Sequence, residues 1–224
     1  MNEGQWTDVD RYLNDLLVPA DPALDDALEA SHAAGLPAIA VAPNQGKLLH
    51  LLARSIGARN ILEIGTLGGY STIWLARALQ AGGKLVTLEA DAGHAAVARA
   101  NLERAGLAEI VEVRIGLARD SLPRLAAEHR GPFDLIFIDA DKPSNSEYFA
   151  WALQLSRTGS LIIVDNVVRA GAVADAENQD PNVLGTRRFL DILAAEPRVS
   201  ATVIQTVGSK GYDGFAIGLV LAGA

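Results

Sequence analysis

Polar side chains follow two apolar runs in this sequence, at the point where each run ends. In FDLIFIDADK (residues 133–142) the run is followed by Asp139 and Lys142, and a second run, LIIV, is followed by Asp165 and Asn166. If both runs are neighbouring strands, their ends lie about 5 Å apart. Two carboxylates and a carboxamide are hard ligands, and like charges so close are costly without a cation. The pattern predicts a site for Mg²⁺, Ca²⁺ or Mn²⁺; the alternative is two unrelated strand-end acids, one of which caps a helix.

A glycine-rich turn, LEIGTLGGYS (residues 62–71), has the form of a strand, a turn and the start of a helix. Its three glycines are expected to let the backbone approach a ligand closely. A nicotinamide-binding turn would read G-x-G-x-x-G, and Leu67 stands where the second glycine would make room for a pyrophosphate. The turn therefore disfavours a dinucleotide.

Two acids flank this turn in the predicted fold. Glu63 lies just before it, either as a buried acid satisfied by backbone amides or as a carboxylate that faces a cationic ligand. Glu89 ends the next strand, where Rossmann-like domains commonly bind ribose hydroxyls. Together the two acids suit a ribose ligand with a positive charge and no phosphates, and S-adenosylmethionine matches that description.

The elements that would position these groups are alternating strands and helices. Short apolar segments bounded by turns, typical of strands in a covered parallel sheet, span residues 60–65, 84–90, 110–116, 134–140 and 160–166. Helical spacing of apolar residues follows the first, second and fourth of them, in YSTIWLARALQ, GHAAVARANLERAG and SEYFAWALQLSR. Three helices precede the first strand (DVDRYLNDLL, DPALDDALEASHAAG and NQGKLLHLLARSIG), and SATVIQTV and FAIGLVLAG form a final hairpin. The alternation predicts a doubly wound α/β fold.

The composition limits the class of protein. The chain of 224 residues suits a single domain, 1–224, with residues 1–40 as a helical extension. A net charge of −8 without a Lys/Arg cluster argues against nucleic acid or an anionic membrane surface as the partner. There is no cysteine, which excludes disulfides, zinc ribbons and thiol nucleophiles. Because no apolar run reaches the roughly 18 residues of a membrane span and the N-terminus is polar, a cytoplasmic location is expected.

These motifs together resemble the cation-dependent class I O-methyltransferases, the family of caffeoyl-CoA and catechol O-methyltransferases. The resemblance covers nearly everything from residue 42 to residue 218 and rests on the order and spacing of APNQGKLLHLL, ILEIGTLGGYSTIWLA, LEAD, FDLIFIDADK, LIIVDN and GYDGFAIGL. It implies a Rossmann-like, mostly parallel seven-stranded sheet with a reversed C-terminal hairpin, and usually a homodimer. It also implies that S-adenosylmethionine is the methyl donor.

The resemblance implies roles for individual residues. Asp139, Asp165 and Asn166 match the family's metal ligands, and Lys142 stands three residues after the first of them, where the family has its proposed base. Asp139 and Lys142 are therefore the predicted catalytic pair. The positions that match contacts to the methyl donor are Val41 (or Ala42 beside it), Glu63, Gly65, Thr66, Ser71, Glu89, Ala118 and Asp141.

One loop departs from the family pattern. Many relatives have a leucine–tryptophan pair after VDN, whereas this chain has Val168, Arg169 and Ala170 before Gly171. Because that loop helps to shape the acceptor pocket in the family, the resemblance says least about the acceptor. Arg169 is either an exposed loop arginine or a contact to an acidic acceptor.

The predicted reaction is the methylation of a vicinal aromatic diol, with Mg²⁺ as the metal and Ca²⁺ or Mn²⁺ as alternatives. A phenol has a pKa of about 10 and is scarcely ionised at neutral pH, and a divalent ion favours its oxyanion. Lys142 would accept the proton, or stabilise the phenolate while charged. The alternatives are an NAD-dependent oxidoreductase on the same fold and a non-catalytic binding subunit.

Overall fold

Seven strands form one sheet in the computed structural model, which describes residues 3–222. They are β1 (Asn60–Ile64), β2 (Lys84–Glu89), β3 (Val111–Ile115), β4 (Phe133–Ile138), β5 (Ser156–Asp165), β6 (Val199–Gly208) and β7 (Gly211–Val220). Their order is β3-β2-β1-β4-β5-β7-β6; the first five are parallel, and β7 is antiparallel to β5 and β6. The predicted doubly wound sheet with a reversed hairpin is confirmed. The strand order reverses between β1 and β4, the kind of switch beyond which α/β proteins bind ligands.

Eight helices surround the sheet in this part of the chain. They are α1 (Glu3–Leu17), α2 (Pro22–Ala33), α3 (Pro43–Ser55), α4 (Tyr70–Ala76), α5 (Ala92–Arg104), α6 (Ala118–Ala127), α7 (Asn145–Gln154) and α8 (Pro181–Ala195). Two 3-10 segments, Lys142–Ser144 and Arg169–Ala174, follow β4 and β5. Within residues 3–222 no helix combines the length and the apolar character needed to cross a bilayer.

The apolar run in β4 is explained by burial on both faces of the sheet. Leu135 and Phe137 pack into one apolar cluster with α2–α5, and Ile136 and Ile138 pack into the opposite cluster with α6–α8. All six residues of the strand are buried. Each such side chain contributes about 1.5–3 kcal/mol when it leaves water. The carboxyl end of β4 is therefore held rigidly at the centre of the sheet.

Side-chain caps begin several of the helices. Asp21 accepts the backbone N–H groups of Ala23 and Leu24 at the start of α2, and Asp91 and Asp180 cap α5 and α8 in the same way. Such caps satisfy N–H groups that have no partner inside the helix. Proline is the first residue of both α2 and α8, where its missing N–H costs nothing.

Some predicted boundaries and elements differ from the structure. The helix after β1 was expected to extend to Gln80 but ends at Ala76, and β5 and β7 begin four residues earlier than predicted, at Ser156 and Gly211. The last residue of the predicted final strand, Gly223, lies outside the described residues. Helices α6 and α8 were not identified from the sequence.

Candidate active site

The ends of β4 and β5 lie side by side at the carboxyl edge of the sheet. Ile138 is paired with Val164, so the residues that follow them, Asp139 and Asp165, leave adjacent strands at the same level. Asp165 is the last residue of β5 and is buried, whereas a quarter of the Asp139 side chain, 25 %, is exposed. The expectation that these two strands are neighbours is confirmed.

The negative charge of this acid pair favours the binding of a cation. Burial, followed by the charge of Asp139, raises the pKa of Asp165 to about 7, and Lys142 acts in the opposite direction. Lys142 is itself buried, with its Nζ 2.9 Å from Asp139 Oδ1. Two carboxylates with one ammonium leave an excess of negative charge in a poorly solvated place, which favours the binding of a cation.

Asn166 is the third predicted ligand. Its φ of 57° is left-handed, a conformation that asparagine adopts more readily than most residues, and its N–H donates to Asp165 Oδ1 at 2.8 Å. No three His, Cys, Asp or Glu side chains form a metal-binding group within residues 3–222. A metal would therefore depend on two carboxylates and one carboxamide, and this all-oxygen set fits a hard divalent cation.

Gln45 is a site contact that the sequence did not reveal. It lies on α3, and its Nε2 donates to Asp165 Oδ2 at 2.7 Å across 120 residues of sequence. The preceding Asn44 donates to Asp10 Oδ1 at 3.0 Å, and Asp10 also accepts the N–H of Ser209 at 2.8 Å. These bonds tie α3 to the end of β5 and to the turn between β6 and β7. The only sequence feature that could have indicated Gln45 is its position in APNQGKLLHLL, one of the segments that carry the family resemblance.

The glycine-rich turn meets the strand ends at one of its three glycines. Gly65 has a φ of 100°, and a Cβ there would lie 2.0 Å from the carbonyl oxygen of Asp139. A Cβ on Gly68 would instead lie 1.9 Å from Ser31 Oγ of α2, and Gly69 is the left-handed residue before α4. The expectation that all three glycines let the backbone approach a ligand is wrong, because Gly68 is needed for helix packing.

Glu63 is fully buried behind the turn and is satisfied by three hydroxyl groups. Ser71 Oγ donates to its Oε1 at 2.6 Å, and the hydroxyls of Thr72 and Thr87 donate to its Oε2 at 2.5 and 2.7 Å. Burial raises the pKa of this carboxyl to about 7, although the three hydrogen bonds act to lower it. The interpretation in which backbone amides satisfy Glu63 is wrong. Ser71 links the buried carboxyl to the cavity described below.

Glu89 holds the same turn from the end of β2. Its Oε2 accepts the N–H groups of Thr66 at 3.2 Å and Leu67 at 2.8 Å, and its Oε1 accepts the N–H of Asp91 at 2.9 Å. Leu67 has a φ of 50° at the place where a nicotinamide-binding turn has glycine. Glu89 thus stabilises a turn that is built without that glycine, while it also lines the cavity.

A cavity of about 550 Å³, here called the first cavity, lies beyond the carboxyl ends of β1, β2 and β4. Its wall includes seven of the predicted donor contacts: Val41, Gly65, Thr66, Ser71, Glu89, Ala118 and Asp141. Asp139, Lys142 and Asn166 lie on the wall of the same cavity. A cavity of this size accommodates a small-molecule ligand. The structure thus brings most of the predicted donor residues together with three of the four predicted metal and base residues.

A second cavity of about 460 Å³ adjoins the first and shares Asn166 with it. Asp165, the fourth of those residues, lines this second cavity together with Gln45. Ala42 also lies there, so of the two alternatives for the donor contact Val41 faces the first cavity. The predicted metal site is therefore at the boundary between the two spaces.

Tyr148 is a second residue that sequence reasoning missed. It lies on α7, lines the first cavity and donates its hydroxyl hydrogen to Asp141 Oδ1. Burial and this hydrogen bond raise the pKa of the Tyr148 hydroxyl, so it stays protonated as a donor. The bond orients the carboxylate of Asp141 at the cavity wall.

Arg169 also lies on the wall of the first cavity. Its side chain is 31 % exposed and is therefore half-buried rather than a freely exposed loop arginine. The first of the two sequence-based alternatives for Arg169 is thus wrong.

Comparisons with known proteins agree with this geometry. A sequence model of the O-methyltransferase family matches residues 18–215. The catechol O-methyltransferase of Niastella koreensis is 55% identical over 98% of this chain and 100% of its own length. The crystal structure of the O-methyltransferase from Bacillus cereus in complex with SAH has 60% identity and a TM-score of 0.96, and the match covers 97% of this chain and 99% of that one.

A further crystal structure, of the O-methyltransferase TomG from Streptomyces achromogenes in complex with SAM, has 52% identity and a TM-score of 0.96. That match covers 99% of this chain and 100% of TomG, which is involved in tomaymycin synthesis. Neither alternative, the NAD-dependent oxidoreductase or the non-catalytic subunit, is supported by these relatives. The chain belongs to the O-methyltransferase family, as a class I enzyme of the caffeoyl-CoA and catechol type.

Proposed function

We propose that this enzyme transfers the methyl group of S-adenosylmethionine to a hydroxyl of a vicinal aromatic diol, with a divalent cation. The observation that carries the proposal is the meeting of Asp139, Asp165, Asn166 and Lys142 at the edge of a cavity that the predicted donor residues line. The names of the relatives support the same reaction: one is a catechol O-methyltransferase, and two solved structures contain SAH or SAM.

The donor would occupy the part of the first cavity around the glycine-rich turn. Glu89 and Asp141 offer carboxylate oxygens to hydroxyl or amino groups, and Ser71 lies between the cavity and the buried carboxyl of Glu63. Gly65 lets the turn lie against the carbonyl of Asp139, so the donor and the strand ends share one wall. A sulfonium cation bound there would be attracted by the surrounding acids.

The metal would be held by Asp139, Asp165 and Asn166, and Mg²⁺ is the cation that their oxygen atoms suit best, with Ca²⁺ or Mn²⁺ as alternatives. When bound, a divalent cation supplies charge that lowers the pKa of a neighbouring hydroxyl. Gln45 orients Asp165 from α3 through its 2.7 Å bond, as partners of metal-binding carboxylates commonly do.

Lys142 would act on the proton of the acceptor hydroxyl. It is buried, lies 2.9 Å from Asp139 and lines the first cavity. In the transfer step an oxygen lone pair of the acceptor forms a bond to the methyl carbon, and the carbon–sulfur bond breaks with its electrons going to sulfur. The proton of the hydroxyl leaves to water while Lys142 stays charged and stabilises the oxyanion, or to Lys142 when its amine is neutral. The products are a methyl ether and the neutral thioether of the donor.

The metal requirement can be tested by removing metal from the purified enzyme with a chelator and measuring methylation of catechol. We expect activity to be lost and to return when Mg²⁺ is added, with SAM binding measured by calorimetry as the control for intact protein. Full turnover by the metal-free enzyme would contradict the proposal. Methylation of phenol at the same rate as catechol would contradict the proposal that the acceptor is a vicinal diol.

We also propose that two copies of the chain form a homodimer, as the family resemblance implied. Large apolar side chains are exposed on α1, with Tyr12 at 65% and Leu16 at 62%, and on β6, with Ile204 at 45% and Val207 at 50%. Because β6 is the edge strand and contacts α1, these residues lie on one side of the molecule. Exposed apolar patches commonly mark interfaces. Sedimentation should give twice the mass of one chain, and the mass of a single chain at every concentration would contradict the proposal.

A further inference from the structure

The segment that carries Arg169 has an unusual backbone. Arg169, Ala170 and Gly171 have φ angles of 55°, 54° and 88°, three successive residues in the left-handed region. Residues other than glycine adopt this conformation rarely and at a cost. The segment begins three residues after Asn166, so this backbone determines what the chain presents to the first cavity near the predicted metal site.

The backbone of this segment is held without help from the arginine side chain. Asp213 Oδ1, on β7, accepts the N–H groups of Val168 at 3.0 Å and Arg169 at 2.9 Å. It also accepts the N–H of Gly214 at 2.9 Å. Because these bonds involve main-chain donors, replacing the side chain of Arg169 leaves them in place. The guanidinium is therefore not required to hold the loop.

The guanidinium itself lacks a hydrogen-bond acceptor within residues 3–222. Its nearest carboxylate oxygen, Asp213 Oδ2, lies 3.9 Å from Nη1, which is too far for a hydrogen bond. Its Nε is buried without any partner. Asp180 lies near enough to feel the charge, but its carboxylate accepts the N–H of Asn182 as the cap of α8. The exposed part of the guanidinium lines the first cavity, so a ligand there can supply the acceptor that the described residues do not.

Arg169 differs in this respect from Lys142 and His94, the other basic side chains on the wall of the first cavity. Lys142 is paired with Asp139 at 2.9 Å, and His94 lies 3.6 Å from Glu89. Asn182, on the same wall, adds a neutral amide near the start of α8. Among these three basic side chains, Arg169 is thus the one whose nearest carboxylate is farthest away, at 3.9 Å, and it lies three residues after Asn166 along the chain.

We propose that Arg169 is a specificity-determining residue that binds a carboxylate carried by the acceptor, so that the enzyme prefers acidic catechols to neutral ones. This inference rests on the proposed function, since it names the class of diol. A carboxylate suits the site because a half-exposed guanidinium can donate two N–H groups to its two oxygens. The nearest acid, Asp213, is 3.9 Å from Nη1 and does not take up these donors.

The carboxylate of the methyl donor has the same chemistry and is the competing occupant. The two are distinguished by which affinity changes when Arg169 is replaced. Recognition of the acceptor predicts that the affinity for SAM is unchanged. Recognition of the donor predicts a weaker affinity for SAM and an equal effect on every acceptor.

The test compares wild-type enzyme with Arg169→Gln, loaded with Mg²⁺ and SAM, on 3,4-dihydroxybenzoate and its neutral amide. Because a hydrogen bond to a charged group is worth a factor of about ten or more, we expect wild-type kcat/KM to favour the carboxylate by about tenfold. Arg169→Gln should lose this preference and keep its rate on the amide within about threefold. Arg169→Lys should retain part of the preference, because it keeps the charge without the planar fork. Arg188→Gln, at an exposed arginine of α8, makes the same change of charge and should behave as wild type.

Calorimetry keeps the inference separate from the proposed function. The carboxylate and the amide are titrated into wild type and Arg169→Gln loaded with SAH and Mg²⁺, which requires no turnover. If no catechol is methylated but the carboxylate binds tighter to wild type alone, the reaction is wrong and the anion site stands. A second outcome is that catechols are methylated while the ratio of kcat/KM for the carboxylate to that for the amide, and the ratio of their affinities, are the same in both proteins. That result overturns the role of Arg169. A loss of SAM affinity in Arg169→Gln equal to the loss of preference would overturn it as well.

Discussion

Replacing Glu63 by glutamine should change how the stability of this enzyme depends on pH. The carboxyl has an ordinary pKa of 4.5, which applies to the unfolded chain, whereas burial raises it to about 7 in the folded protein. The folded state therefore holds a proton that the unfolded state has released, and stability falls as the pH rises through this window. At about 1.36 kcal/mol for each unit of the difference between 7 and 4.5, the loss is about 3 kcal/mol.

Glutamine has nearly the same shape and does not ionise. Its amide can hydrogen-bond to the hydroxyls of Ser71, Thr72 and Thr87, which act as donors or acceptors. Relative to wild type, Glu63→Gln should therefore gain about 3 kcal/mol in the free energy of unfolding between about pH 4.5 and about pH 8. The gain should be complete above about pH 8, where Glu63 is ionised in both states.

The assay is urea unfolding of both proteins across this pH range, without metal and with a chelator. Asp165 also has a raised pKa, but both proteins retain it, so its contribution cancels in the difference between them. Glu103→Gln is the matched control, because it makes the same substitution at an exposed carboxylate on α5 instead of a buried one. A difference in unfolding free energy between Glu63→Gln and wild type that stays constant with pH would refute the reasoning.

Three further variants test the strand ends. Lys142→Ala should lower kcat by about a hundredfold or more with SAM affinity changed by less than about threefold, and an unchanged kcat would remove Lys142 from proton transfer. Gln45→Leu should lower the free energy of unfolding by about 1.5–3 kcal/mol above pH 7, because the charged Asp165 loses its 2.7 Å donor; an equal cost at about pH 5 would contradict this cause. Gly65→Ala should cost more than about 1 kcal/mol in urea unfolding and weaken SAM binding, since its Cβ would lie 2.0 Å from the oxygen of Asp139. Wild-type stability in that variant would show that the turn can shift.

The strands were predictable because their signal is local. Continuous apolar runs such as the one in β4 arise when a strand is buried on both faces, and that requirement can be seen in the sequence. Helices α6 and α8 were not identified from the sequence, and each contains a residue that normally disfavours helices. Pro123 lies inside α6, and Gly185 lies inside α8. A Cβ at Gly185 would lie 2.5 Å from the carbonyl oxygen of Lys142, so packing outweighs helix propensity there.

The sequence by itself determined the strands, six of the eight helices in the described part of the chain, the acids at the strand ends and the family. These depend on side-chain spacing along the chain and on the rule that parallel strands end at one edge. Only the tertiary structure decided which polar groups face one another: Gln45 with Asp165, three hydroxyls with Glu63, and, within residues 3–222, an Arg169 guanidinium without an acceptor. Such contacts join elements that are far apart in the chain, and burial sets their energies, so local sequence patterns carry no record of them.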